Sequence, residues 1–411
     1  MKKLNYLTFV DAYDVALKAV LIQKSTQKML VPHALNTVLA ADVIVQKNLP
    51  SFDNSAMDGF AFKYEDKGKT LTIAASIFAG ESPESLLSSG MCYKIMTGAK
   101  VPNDADTIVP IEDCIDVSQQ RVTIPHDIKK HNAFRFKGEE QTVGNTLFKK
   151  GELLTPGHIA LLASQGMMGI SVYRPLSIAV VATGDELKEP WELASEDEIY
   201  NSNASAILAL LKKYGFVGTY VGAIPDHLEE SVAFISELKS YDVIITTGGI
   251  SMGDADFLEE AFLRNGLDIL FHGIDVKPGR STMMGTIDNT FVMAMPGNPL
   301  TAMINVFLLA LPILFKMQGK TAYHHDFVYA KNAKRFTARA GRVNVVLGHI
   351  EEGEFTVTRN NRYGSGMMTP IVESNALVVF SDTISVVEEE TLLKVILFDT
   401  LPSVQENRTM N

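Results

Sequence analysis

Thr246-Thr-Gly-Gly-Ile-Ser-Met-Gly-Asp-Ala-Asp256 follows Asp242-Val-Ile-Ile245, a run that reads as a buried strand. A strand that feeds a glycine-rich turn and then a helix aims backbone N–H groups at an anion. Gly248, Gly249 and Gly253 make the turn, and Ser251 adds a hydroxyl donor. Asp254 and Asp256 place carboxylates where a phosphate alone would be repelled, which points to a metal ion bridging the two. Asp in the first turn of a helix is also favourable through the dipole alone, on many helices with no function. Both readings stand on this loop by itself.

The rest of the chain sets limits. At 411 residues it is too long for one core, and ~150 residues per domain predicts two to four domains. A hydrophobic fraction of 46% with 21% charged residues reads as an ordinary soluble globular chain, and no apolar run is expected to reach the ~18 residues of a membrane span. The start is basic, but Asp11 and Asp14 interrupt any signal-peptide core, so a cytoplasmic protein is expected. Cys92 and Cys114 are too few for a disulfide framework and read as buried thiols. A net charge of −11 argues against broad nucleic-acid binding. An anionic ligand must therefore be held by a local cluster of donors and cations.

Periodicity divides the chain further. Val10, Tyr13, Leu17, Val20 and Leu21 fall at helical spacing, and a second helix is expected over 156–165. Between them lie short β-rich runs at 71–77, 93–96, 107–111 and 122–124. This predicts a helical linker domain over 1–44 and 145–175, interrupted by an inserted small β domain over 45–144. Over 176–320 strands and helices alternate, with strands at 177–182, 219–224, 242–247 and 290–295, so a parallel α/β sheet is expected. The helix after Asn203 has that residue as its cap and Gly215 as terminator. Residues 321–411 return to strands without a convincing helix, as in a β-barrel or sandwich.

In open α/β sheets ligands sit beyond the carboxyl ends of the strands. Four loops there are unusual: Thr183-Gly-Asp-Glu186, Pro225-Asp226-His227, the glycine-rich turn, and Pro296-Gly297-Asn298-Pro299. Glu186, Asp226, Asp254 and Asp256 would converge on one crevice, which suggests Mg²⁺ bound by two of them. Lys277-Pro-Gly-Arg280 sets two cations on a stiff turn near the same edge and could hold an oxyanion. Taken singly, each of these acids reads as a loop acid or a cap, and the basic turn as ordinary surface. Asp58, before Gly59, reads on physics alone as a turn residue, and Thr97-Gly-Ala as a strand end.

Ser55-Ala-Met-Asp-Gly-Phe-Ala, Thr97-Gly-Ala-Lys-Val-Pro, Thr183-Gly-Asp-Glu-Leu, Gly248-Gly-Ile-Ser-Met-Gly-Asp-Ala-Asp, Lys277-Pro-Gly-Arg, Pro296-Gly-Asn-Pro and Gly364-Ser-Gly-Met-Met occur in that order. Together they resemble the molybdopterin molybdenumtransferase family, the MoeA proteins and the gephyrin E domain. The resemblance implies an elongated four-part chain with a MoaB/MogA-like α/β domain and a C-terminal β-barrel. It also implies a homodimer whose cleft is shared between the α/β domain of one subunit and the β domain of the other.

The implied activity is insertion of molybdate into adenylylated molybdopterin with Mg²⁺-dependent release of AMP. Carried over residue by residue, the resemblance gives catalytic roles to Asp58, Thr97, Glu186, Lys277 and Arg280, and metal ligation to Asp226 and Asp256. It gives substrate binding to Gly248, Gly249, Ser251, Gly253, Pro296, Gly297, Asn298 and Ser365. Arg280 stands where the family commonly has lysine, Gly273 replaces a basic residue, and Leu347 takes an arginine position. Two anion contacts are therefore expected to be missing, which admits a tungstate-preferring paralogue. Transient contact with the molybdopterin adenylyltransferase and with molybdoenzymes is implied, without nucleic-acid or membrane partners. Rival readings are a gephyrin-like scaffold and the preceding adenylylation step.

Overall fold

The computed structural model describes residues 6–81, 86–184, 186–249 and 257–398. These form two bodies, one of the described residues within 41–150 and 160–168, the other of those within 6–40, 151–159 and 169–398.

The larger body is built on a six-stranded sheet. Its strands are β1 (Ile178–Thr183), β2 (Gly218–Ile224), β3 (Val243–Thr247), β4 (Asp268–His272), β5 (Met283–Ile287) and β6 (Thr290–Met295), in the order β2-β1-β3-β6-β5-β4. β2, β1, β3 and β6 are parallel, whereas β5 pairs antiparallel with both β6 and β4. The four strands expected from the sequence are thus the parallel ones, and β5 and β4 add an antiparallel edge that the reading did not include. β5 and β6 are joined by Asp288-Asn289, with Asp288 at φ 52°, a two-residue hairpin turn hidden inside an apolar run. β1, β3 and β6 are buried along their length, as strands covered on both faces must be.

Helices α1 (Ser202–Lys213), α2 (Leu228–Leu238) and α3 (Phe257–Arg264) follow β1, β2 and β3. The cap of α1 is Asn201, whose side chain accepts from Ala204 N–H (3.2 Å), not Asn203. α4 runs from Pro299 to Met317, 19 residues, and is long and apolar enough by composition to cross a membrane. Its most apolar window is 89% buried inside the fold, so it is a core helix. The expectation that no stretch reaches span length is corrected accordingly. α4 widens to π-helical geometry over Val306–Ala310 just ahead of Pro312, which has no N–H to give the ladder.

The N-terminal helix spans Phe9–Ala19. It buries Ala12, Ala16 and Leu17, whereas Val10 and Leu21 from the expected apolar stripe are exposed. Helix then gives way to strand Thr26–Leu30, antiparallel to Gly169–Tyr173.

The C-terminal region is a closed five-stranded barrel: Val343–Glu351, Glu354–Val357, Val328–Asn332, Leu392–Leu397 and Ala376–Phe380, with the last pairing back onto the first. Phe336, Val346, Phe355, Val378, Phe380 and Val395 fill it. One helical turn, Thr369–Val372, interrupts the strands. A sixth, two-residue strand, Val276–Lys277, pairs parallel with Val343–Asn344 from outside the barrel.

The smaller body holds a second six-stranded sheet, ordered Thr107–Pro110, Gly59–Phe62, Met91–Ile95, Thr70–Ile77, Arg121–Thr123 and Asp116–Val117. Cys92 is buried in it, and burial pushes its thiol up to about 12. Gly59 lies so close to the neighbouring strand that an added Cβ would sit 2.1 Å from the Val109 carbonyl oxygen. Backbone on both sides cannot yield as a side chain would. Gly59→Ala is therefore expected to destabilise this body by about 2–3 kcal/mol, read as a lowered urea midpoint; an unchanged midpoint would show that the two strands are free to part.

Candidate active site

Three strand ends meet beyond the sheet. Thr183, closing β1, donates from Oγ1 to Thr247 O (3.0 Å), and Gly248 N–H donates to Met295 O (3.0 Å). Gly248 and Gly249 adopt positive φ, 87° and 66°, and an added Cβ at Gly248 would lie 2.6 Å from Thr183 Oγ1. Only glycine fits that approach. Gly297 abuts Gly248, its own Cβ position lying 3.4 Å from Gly248 Cα. Asn203, freed from capping, donates from Nδ2 to Gly297 O (2.8 Å) and ties the 296–299 loop to α1.

These ends floor a cleft of about 680 Å³ that brings together Thr183, Gly184, Glu186, Asn201, Asn203, Asp226, Gly248, Gly249, Gly297 and Asn298. Glu186 and Asp226 are both exposed on it, and no hydrogen bond or ion pair engages either carboxylate among the described residues. Ser251, Gly253, Asp254 and Asp256 lie outside the described residues. Among those described, no group of three or more His, Cys, Asp or Glu is placed to hold a metal ion.

A second cleft, about 350 Å³, shares Ser281, Pro296 and Asn298 with the first. It is lined by Lys277, Arg280, Arg342, Asn344 and Ser365. Its shape follows from local bonds. The buried Asn305 of α4 donates to Gly279 O (3.2 Å) and Thr282 Oγ1 (2.7 Å), and an added Cβ at Gly279 would meet its amide at 2.6 Å. That fixes the Lys277–Arg280 turn. Across the strand pairing, Asn344 Nδ2 donates to the Arg339 and Arg342 carbonyls (both 2.7 Å) and orders the turn that carries those two arginines.

The cleft is strongly cationic. Burial, and then the Arg339 and Arg342 charges, hold the Lys277 ammonium below the ordinary lysine range. Asp275 answers Arg280 and Arg342, each at 3.6 Å, and the Tyr6 ring lies 4.4 Å from the Arg280 guanidinium. Arg280 Nε is buried without a partner, an orphan donor beside the turn. Arg339 and Arg342 escaped the sequence reading, since only the pairing of residues some 65 positions apart brings them here. They add cations that the motifs did not include, while Leu347 is buried in an apolar pocket with Leu210, Met303 and Phe307, and Gly273 occupies a turn at φ 92°.

In the smaller body, Asp58 is exposed and its Oδ1 accepts from both Thr97 N–H and Thr97 Oγ1 (2.7 Å each). Those two bonds, backbone first, hold its carboxyl below the ordinary range. A pairing that neither residue shows as a turn or strand end thus fixes an ionised carboxylate on the surface.

Residues 7–166 match the MoeA N-terminal region (domain I and II), 179–316 a probable molybdopterin binding domain, and 329–398 the MoeA C-terminal region (domain IV). A molybdopterin molybdenumtransferase of Haemophilus influenzae is 31% identical over 91% of this chain and 94% of its own length. The chain belongs to the MoeA family of molybdopterin molybdenumtransferases. A Staphylococcus aureus (strain MRSA252) relative of the same name is 30% identical over 89% of this chain and 90% of its own. Among solved structures, a Pyrococcus horikoshii molybdopterin biosynthesis MoeA protein shares the fold at TM-score 0.82, 23% identical over 96% of this chain and all of its own.

Two outcomes are expected. A charged Lys277 costs stability below its lowered folded pKa, and that cost fades as pH rises through it; Lys277→Met should abolish oxyanion binding by calorimetry yet leave Tm at neutral pH unchanged or raised. Because Asp58 titrates below its unfolded value, its contribution is present at neutral pH and is lost in acid. Thr97→Val should return the Asp58 carboxyl toward the ordinary range in a carbon-13 NMR titration, and an unmoved titration would put the cause elsewhere.

Proposed function

We propose that this chain inserts molybdenum from molybdate into the dithiolene of adenylylated molybdopterin, with Mg²⁺-dependent release of AMP. The observation that carries this reading is the pair of joined clefts, one cationic and one lined by glycine-rich strand ends and free carboxylates. A tetrahedral oxyanion suits the first, where Lys277, Arg280 and Arg342 supply charge in a net-acidic chain. A nucleotide phosphate suits the second, where Gly248 and Gly249 leave the backbone bare of side chains and the Gly249 N–H is not given to the sheet.

Two carboxylates without partners, Glu186 and Asp226, beside a phosphate site fit a hard cation with oxygen ligands, and Asp226, with Asp256 from outside the described residues, would hold Mg²⁺. Held there, Mg²⁺ would supply positive charge against the phosphoanhydride. Glu186 then orients the nucleotide side, Ser365 and Asn298 the oxyanion side, and Asp58 with Thr97 serves the pterin. The working unit is a homodimer in the cytoplasm, with transient contacts to the adenylyltransferase upstream and to molybdoenzymes downstream.

The test incubates purified protein with adenylylated molybdopterin, Mg²⁺ and low micromolar molybdate, and measures AMP released and molybdenum bound to the pterin. Stoichiometric, molybdate-dependent AMP is expected, and Asp226→Asn should slow it by about 100-fold without lowering Tm. Failure of a folded protein to release AMP while it still binds the adenylylated pterin would overturn the reading.

A further inference from the structure

The segment Lys129-Lys-His-Asn-Ala-Phe-Arg-Phe-Lys137 packs four cations and two phenylalanines into nine residues of a chain with net charge −11. It runs antiparallel to residues 50–56. Gly138 N–H donates to Pro50 O (2.9 Å), Lys137 N–H to Asp53 Oδ1 (2.7 Å), and Ala56 N–H to Ala133 O (2.9 Å), with Phe134–Arg135 paired to Asn54–Ser55 between them. On its other side Ser55 accepts Gly98 N–H (2.8 Å) and donates to Ala99 O (3.0 Å). One short strand therefore separates the Asp58–Thr97 couple from a group of aromatic rings.

Those rings are His131, Phe134 and Phe136, with centroids 5.1 Å (His131–Phe136), 5.9 Å (His131–Phe134) and 4.8 Å (Phe134–Phe136) apart. Phe136 nevertheless keeps 44% of its surface exposed, with Met57 at 41% nearby in sequence to Asp58. Acids around it are occupied: Asp53 by Lys137 N–H, Glu139 by Phe136 N–H (2.8 Å), Asp106 by Lys130 (3.2 Å) and Asp58 by Thr97. No carboxylate pairs with Lys100, Arg135 or Lys137 among the described residues. Arg135 and Lys100, both paired with Asn54, lie on the face opposite Phe134, whereas an exposed ring held by two others, one strand from the Asp58–Thr97 couple, is complementary to a flat heterocycle.

We infer that Phe136, backed by Phe134 and His131, is a stacking face for the pterin ring of the substrate. The inference rests on the proposed function and assigns a residue to it that neither the basic turn nor the strand-end loops contain. A rigid aromatic face contributes through ring overlap, so leucine of similar apolarity does not replace it, whereas tryptophan does.

The experiment titrates molybdopterin, without the nucleotide, onto full-length wild type, Phe136→Leu and Phe136→Trp, following pterin fluorescence, with Tm and sedimentation measured on each. Expected are binding about tenfold weaker for Phe136→Leu, near-wild-type binding for Phe136→Trp, and unchanged mass. Equal binding by all three overturns the stacking face and leaves the functional reading intact. Dissociation of an oligomer by Phe136→Leu with affinity retained also overturns it, giving the patch to a second copy of the chain. Should leucine disturb the fold, Phe136→Trp decides: tight binding supports the inference, and weak binding from a folded protein overturns it. No binding by wild type removes the functional reading, and this inference with it.

Discussion

The arrangement of the larger body depends on one short pairing, Val276–Lys277 against Val343–Asn344. Two residues of strand join a barrel to an α/β sheet, and both the basic turn and the Arg339–Arg342 turn hang from that junction. Burial and, after it, the like charges gathered in this way hold the Lys277 pKa down. The cost of gathering them is met by neutral scaffolding as much as by charge. Asn305 and Asn344 hold the two turns through their amides, while Asp275, itself partly exposed, answers two arginines at 3.6 Å. A site assembled like this is held ready for an anion, because its donors are fixed by bonds that do not involve the ligand.

Much of the framework was legible in the sequence because it obeys simple periodicities. β3 and β6 are apolar runs bounded by turn residues, and they stand where the pattern places them, within a residue or two. β5 was not legible. Its Met-Met-Gly-Thr-Ile continues into β6 through Asp288-Asn289, and neither residue announces a turn as Asn-Gly would. The cap of α1 failed for a related reason: Asn201 and Asn203 are both competent, and which one turns toward the helix depends on the half-buried Glu189 and Tyr220 that Asn201 also engages.

The strand-end loops could be assembled from sequence because a parallel sheet puts its carboxyl ends on one side. Nothing local marks Arg342 as a neighbour of Lys277. That adjacency exists only after the barrel has formed and lent its edge, so a reading by motifs counted too few cations. The apolar stripe assigned to the first helix shows the opposite error. Val10 fits the spacing, yet the small Ala12 and Ala16 are what lie against the core.

The barrel hairpin carries a last consequence. Glu354–Val357 reaches along the long strand only as far as Gly348, so one edge of Val343–Asn344 would be open to a stranger's backbone. The chain closes that edge with its own Val276–Lys277. Modularity is thereby curtailed: a truncation ahead of residue 321 would bare the Val276–Lys277 edge, and a barrel transplanted to another host the edge of Val343–Asn344. Recombination among proteins that share only the α/β framework would meet the same barrier, and the barrel and the basic turn must be inherited together.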